Sequence, residues 1–219
     1  MPLLQEINPT ISSLFPMPFK KLHSDIIEKL DSFEITIPTP FQKKSIPLIK
    51  SGANVYCTAP KGSGKTTTLI LTTLQKLKCE EVGVAPRAII LVEDRARAFE
   101  LEETMLQYTR HTSLRVYTCD DKFHIEVLTS EIFEGVDILI ATARTVCKLL
   151  LLEGLNMTQL KIFNIEDAEF LAKSATYTDL MAITQSIHKC QYVVYSEKTN
   201  TMLKRLETNF MQYSKTVSA

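Results

Sequence analysis

At 219 residues, with 45% hydrophobic and 23% charged side chains, the chain has an ordinary globular composition and the length of one large α/β domain. Its 25 Lys plus Arg balance 25 Asp plus Glu, so the net charge is zero and any nucleic-acid binding must come from a local patch. No apolar run approaches the ~20 residues that span a bilayer, and the opening MPLLQEINPTISSLFPMPF lacks a signal peptide's basic region and apolar core. No membrane association is expected, and the chain reads as cytoplasmic. Cys57, Cys79, Cys119, Cys147 and Cys190 lie far apart with no CxxC pair, and His23, His111, His124 and His188 show no ligand spacing. Buried or idle thiols in a reducing compartment are expected.

Residues 1–219 read as a single domain, with the proline-rich stretch 1–18 as an irregular N-terminal arm. Ile26, Ile27, Leu30 and Phe33 recur at helical spacing and predict a helix over His23–Phe33. TIPTPFQ is extended or turning, because each proline biases its predecessor away from helix. A helix follows over Gln42–Lys50. Strands are then expected at Asn54–Thr58, Ala88–Val92, Leu114–Thr118, Asp137–Ala141, Leu160–Ile165 and Gln191–Tyr195. Helices are expected between and after them at Lys65–Lys78, Asp94–His111, Phe123–Phe133, Arg144–Glu153, Asp179–His188 and Thr201–Met211. Alternating strands and helices argue for an α/β fold with a mostly parallel central sheet and helices on both faces.

The sharpest motif is Ala59-Pro60-Lys61-Gly62-Ser63-Gly64-Lys65-Thr66, between the strand NVYCT and the helix TTTLILTTLQKL. This is the context a phosphate-binding P-loop requires. Gly62 and Gly64 let the backbone curl so that its N–H groups point inward, and the helix N-terminus adds free amides and a positive dipole end. Lys65 supplies a point charge for the β- and γ-phosphates, and the Thr66 hydroxyl is suited to Mg²⁺.

On these residues the chain resembles the first RecA-like domain of the DEAD-box RNA helicases. The family's loop reads A-x-x-G-x-G-K-T, which Ala59–Thr66 satisfies. Pro38-Thr39-Pro40-Phe41-Gln42 matches its Q motif, in which the glutamine amide reads the adenine edge. Phe19 is the candidate for an aromatic that stacks on the base. The acidic motif appears as Glu166-Asp167-Ala168-Glu169, with each acid of Asp-Glu-Ala-Asp exchanged for the other. The resemblance implies that Glu166 holds Mg²⁺ through water and Asp167 activates the attacking water. Asp167 is shorter than the usual glutamate by roughly 1.5 Å, and such a misplacement costs on the order of 100-fold in rate.

The RNA-contacting motifs depart further. Glu93-Asp94-Arg95-Ala96-Arg97-Ala98 stands for P-T-R-E-L-A, and Ala141-Thr142-Ala143-Arg144-Thr145 for A-T-P-G-R. Arg95, Arg97, Thr142 and Arg144 are the nucleic-acid candidates; solvated surface arginines are the equal alternative. No double-glycine turn occurs near Tyr117–Asp121. Ser196-Glu197-Lys198 stands for S-A-T, and Glu169 is expected to accept a hydrogen bond from Ser196, Lys198 or both, coupling nucleotide state to RNA; a solvated Lys198 is the alternative.

The resemblance thus implies an ATP- and Mg²⁺-binding helicase domain, leaning to a weak NTP hydrolase, that contacts RNA weakly and does not unwind duplexes alone. Arginine fingers from a second RecA-like domain are worth about 10³ or more in rate, and no such domain follows in this sequence. The starting Met favours a natural one-domain protein over the first half of a longer one. A protein partner supplying the second domain, or a non-catalytic nucleotide-dependent interaction module, is the alternative. A P-loop kinase is disfavoured, because it leaves PTPFQ unexplained.

Overall fold

The computed structural model describes residues 16–198 and 201–219, apart from the side chains of Met202 and Leu203. The expected N-terminal arm falls almost wholly outside the described residues. Strands β1 (Val55–Thr58), β2 (Ala88–Val92), β3 (Val116–Thr118), β4 (Ile138–Thr142), β5 (Ile162–Ile165), β6 (Gln191–Ser196) and β7 (Lys215–Ser218) form one sheet. Its order is β3-β4-β2-β5-β6-β1-β7, and every pairing is parallel. The helices are α1 (Ser24–Ser32), α2 (Pro40–Lys50), α3 (Lys65–Leu77), α4 (Arg95–Thr109), α5 (Ile125–Glu134), α6 (Ala143–Leu151), α7 (Ser174–Gln185) and α8 (Thr201–Glu207). Short 3₁₀ turns occupy Phe19–Lys21 and Ala168–Ala172. No helix among the described residues is long and apolar enough to cross a membrane.

The continuous apolar runs are explained by burial on both faces. Ala88, Ile90 and Val92 point into one core, where α1–α4 pack through Leu30, Ile46, Leu71 and Leu101. Ile89 and Leu91 point into the other, packed by α5–α8 through Ile132, Leu149, Ile183 and Leu206. A period of two along each strand divides its side chains this way. The register Thr58↔Ser196 and Leu91↔Ile165 brings the carboxyl ends of β1, β6, β5 and β2 to one rim. That rim is where open parallel sheets build binding crevices.

At the opposite rim the core contains a charge cluster. The Asp137 carboxylate, with no exposed surface, accepts from Arg87 Nε at 3.1 Å, Arg87 Nη2 at 2.6 Å and Arg115 Nε at 2.9 Å. It also accepts the amides of Arg115 (3.1 Å) and Val82 (3.2 Å). Burial alone would raise this carboxyl, but the Arg115 and Arg87 bonds and the two amides outweigh it and hold it below its usual value.

Two helices depart from the sequence expectation by more than two residues at one or both ends. α7 starts at Ser174 rather than Asp179; only Leu180 and Ile183 are buried on it, so its periodicity marks its middle and not its start. The final helix ends at Glu207, not Met211, and a seventh strand follows. β7 buries only Val217, and one apolar residue gives no alternation to read.

Candidate functional site

The P-loop leaves β1 at Thr58 and enters α3 at Lys65. Gly62 (φ 78°) and Gly64 (φ 93°) take the left-handed backbone that the curl needs. Gly64 has a second constraint: a Cβ there would lie 2.7 Å from Gln42 Nε2. The PTPFQ segment thus lies directly under the loop. The Thr39 hydroxyl donates to the Ser63 carbonyl (2.8 Å) and accepts the Gln42 amide (3.2 Å), while Gln42 Oε1 accepts the Thr39 amide (2.9 Å). This reciprocal capping box starts α2 and braces the loop in one stroke.

Lys65 is 8% exposed, and its ammonium donates to the carbonyls of Ala59 (2.8 Å) and Pro60 (3.4 Å), 3.7 Å from Asp167 Oδ1. Lys61 points outward, 3.5 Å from Glu197 Oε1. Asp167 is half-exposed and sits in the left-handed region (φ 45°, ψ 63°), at the sharp turn from β5 into the 168–172 turn. Aspartate tolerates that conformation better than most residues. A cleft of about 630 Å³ is lined by Pro60, Lys61, Gly62, Gly64–Thr67, Arg97, Glu100 and Asp167, a volume typical of small-molecule sites.

The expected base-stacking role of Phe19 is corrected. Its ring is fully buried, in the core with Leu22, Ile26 and Leu30, and offers no face to a ligand. Gln42 is also buried (3% exposed), with its amide oxygen committed to the Thr39 amide.

The residues grouped as nucleic-acid contacts are not brought together on a free surface. Arg95 forms a two-bond fork with Asp120 (2.6 Å each) and stacks on Phe99, 4.8 Å from the ring centroid. The Arg95 hydrogen bond holds the Asp120 carboxyl down at about 2. Thr142 caps α6, accepting the Thr145 amide at 3.3 Å. Asp94 caps α4 and accepts the Arg97 amide (2.9 Å), and Glu93 pairs with Lys173 (2.9 Å). Among the described residues Arg144 is exposed and makes no ion pair.

Arg97 lies in the P-loop cleft instead. Its Nε reaches Glu166 Oε2 at 2.9 Å, and Nη2 reaches Glu166 Oε1 at 2.5 Å and Thr66 Oγ1 at 3.4 Å. Nη1 donates to Glu100 at 3.0 Å. Thr66 Oγ1 itself donates to Glu166 Oε1 at 3.2 Å. Thr66 and Glu166 are thus together as expected, and a hydroxyl and a carboxylate are ligands that Mg²⁺ accepts. Yet Mg²⁺ also needs an octahedral shell with several waters, and the guanidinium fills the space beside both oxygens. In this arrangement the residues do not fit the ion. The signal was present in the sequence: an arginine where P-T-R-E-L-A has leucine.

The link between the ends of β5 and β6 exists in a different form from the one expected. Glu169 Oε1 accepts the backbone amides of Glu197 (2.6 Å) and Lys198 (3.4 Å), rather than the Ser196 hydroxyl or the Lys198 ammonium. Ser196 Oγ faces Thr58 Oγ1 at 3.4 Å. Outside the cleft, His23, Asp25 and Cys79 bring potential ligand atoms within 4.8 Å of one another, which their spacing in the sequence hides. Burial pushes the Cys79 thiol up to about 12, which disfavours the thiolate a metal would need.

A family model described as DEAD/DEAH box helicase matches residues 39–211. The chain is 23% identical over 192 residues to the DEAD-box ATP-dependent RNA helicase CshA of Streptococcus pneumoniae, covering 87% of this chain and 36% of that protein. It is 32% identical over 136 residues to DEAD-box ATP-dependent RNA helicase 29 of Oryza sativa subsp. indica, covering 62% of this chain and 16% of that protein. A DEAD box protein from the hyperthermophile Methanococcus jannaschii has the same fold, with a TM-score of 0.83 at 20% identity over 90% of this chain and 54% of that one. The chain therefore spans well under two thirds of the length of each of these relatives. The all-parallel sheet is the RecA-like α/β fold, and with the family model matched over most of its length the chain belongs to the DEAD/DEAH box helicase family.

Proposed function

We propose that this domain binds an adenine nucleotide on the amides of Gly62 to Thr66 and the Lys65 ammonium, hydrolyses it poorly on its own, and contacts RNA weakly without unwinding it. The observation that carries the reading is the loop itself. Two left-handed glycines, a buried lysine and the N-terminus of α3 converge on one open cleft. Amides at a helix N-terminus with its dipole form an anion site. Poor hydrolysis is supported by the short Asp167 side chain and by the engagement of Glu166 with Arg97. Weak RNA contact is supported by Arg95 and Arg97 being held by carboxylates, leaving few cations for phosphates.

Adenine choice rests on Gln42, whose amide must leave Thr39 to present its donor and its acceptor together. The test is equilibrium binding of ATP, ADP and GTP, with and without single-stranded RNA, followed by single-turnover hydrolysis. Adenine nucleotides should bind more tightly than GTP, and Lys65→Ala should abolish binding. Undiminished affinity in Lys65→Ala would refute the site, and equal ATP and GTP binding would refute the base choice.

A second reading, a nucleotide-dependent interaction module, is favoured by one surface feature. Phe123, Leu151 and Leu152 are exposed and line a single cleft near α5 and α6. Nucleotide binding with no turnover, with or without RNA, would support it.

A further inference from the structure

Arg97 is the side chain that alters the chemistry of the cleft. It projects from the first turn of α4, where Asp94 fixes its backbone amide. Its guanidinium spans the two oxygens that the family resemblance assigns to a divalent cation, Thr66 Oγ1 and Glu166 Oε1. Glu166 is only 3% exposed, so its charge needs a partner at all times, and the two-bond fork from Arg97 supplies one.

We propose that Arg97 takes the place of the metal: the cleft binds nucleotide phosphates without Mg²⁺, with the guanidinium as a permanent, tethered counter-cation. The inference rests on the P-loop being a nucleotide site. Three observations carry it further. Arginine stays charged at any working pH, so the cation is never lost to titration. Of its five N–H donors, Nε–H and the two on Nη2 are taken by Glu166 and Thr66, whereas Nη1 faces Glu100, which is 65% exposed. An arriving phosphate oxygen can therefore replace the Glu100 carboxylate on Nη1 while the buried Glu166 stays paired. Arg97 also lines the same cleft as Lys65, Gly64 and Thr66, so both cations face one anion.

The competing outcome is that Mg²⁺ displaces the arginine, which is a third exposed and has a route out. The experiment titrates the full chain with a fluorescent ATP analogue, once in EDTA and once in millimolar Mg²⁺. The same titrations are run on Arg97→Leu and on Arg97→Leu combined with Glu166→Gln, which leaves no unpaired buried charge. The unmodified chain should bind equally within about twofold in the two buffers, whereas the variants should weaken by at least about tenfold in EDTA. Mg²⁺ should restore Arg97→Leu, which keeps its carboxylate, more fully than the double variant. If the unmodified chain binds about tenfold or more tightly with Mg²⁺, the inference is overturned and the nucleotide site stands. No binding in either buffer overturns both. The comparison on the unmodified chain does not depend on either variant folding.

Discussion

Replacing Asp137 by alanine tests how far the core depends on its charge cluster. Arg87 is 1% exposed and Asp137 has no exposed surface, so the change strands a guanidinium inside the domain. Arg115 loses least, because it is partly exposed and keeps the Gly83 carbonyl at 2.6 Å and Glu81 at 3.8 Å. Arg87 keeps only carbonyl contacts, to Leu77 at 3.4 Å and to Glu80. Breaking a buried pair by removing one partner costs on the order of 3–5 kcal/mol. At about 2–4 °C per kcal/mol for a domain of this size, that is a fall of roughly 6–20 °C in Tm. Urea denaturation followed by circular dichroism gives the free energy directly. Arg87→Met combined with Asp137→Leu should lose less than Asp137→Ala alone, since neither buried charge is then left without its partner. A loss below about 1 kcal/mol in Asp137→Ala would refute the reasoning, because it would mean that carbonyls alone satisfy Arg87.

Three further outcomes are expected. Gly64→Ala should weaken nucleotide binding by at least about tenfold, because left-handed backbone costs a non-glycine residue roughly 1–2 kcal/mol and the new Cβ meets Gln42 at 2.7 Å; isothermal titration against the unmodified chain checks it. RNA binding should fall only gently with salt, with a log–log slope shallower than about −2, since each neutralised phosphate of a single strand contributes about −0.7. A filter-binding series in KCl that gives a steep slope would reveal a basic face that the engaged arginines do not provide. Asp120, held down to about 2 by Arg95, contributes stability that is complete above the ordinary carboxylate range and is lost as the pH falls towards 2. Denaturant midpoints should therefore drop less on acidification in Asp120→Asn than in the unmodified chain.

The strands were legible wherever both faces are buried. AIILV is an uninterrupted apolar run, and the structure begins and ends β2 at the same residues. The P-loop was legible because strand, glycines and helix occur in one order that phosphate chemistry requires. Phe19 misled because an aromatic upstream of a glutamine looks the same in a sequence whether it stacks on a base or fills a core. Arg97 was visible as a departure from its motif, but its direction was not. A helix turn places a long side chain over several neighbours, and only the fold, which brings the first turn of α4 next to the residue that follows β5, shows that it reaches Glu166. The grip of Glu169 on backbone amides was hidden for a related reason, since main-chain donors leave no trace in residue identity.

The seventh strand changes the surroundings of the P-loop. Without it, β1 would be the margin of the sheet, with a row of unpaired main-chain groups open to water or to another chain. With it, Val55–Thr58 are matched on both sides, by Val193–Ser196 and by Lys215–Ser218. The Ala219 amide reaches Thr58 itself (3.2 Å), and Lys44 of α2 holds the Ser218 carbonyl (3.2 Å). The new margin is short and polar apart from Val217, and it carries a lysine, features that discourage further strand addition. Hydrogen exchange at the root of the P-loop therefore responds to two separate events. One is occupancy of the cleft, and the other is the unzipping of residues 215–218 from the opposite side of the same strand.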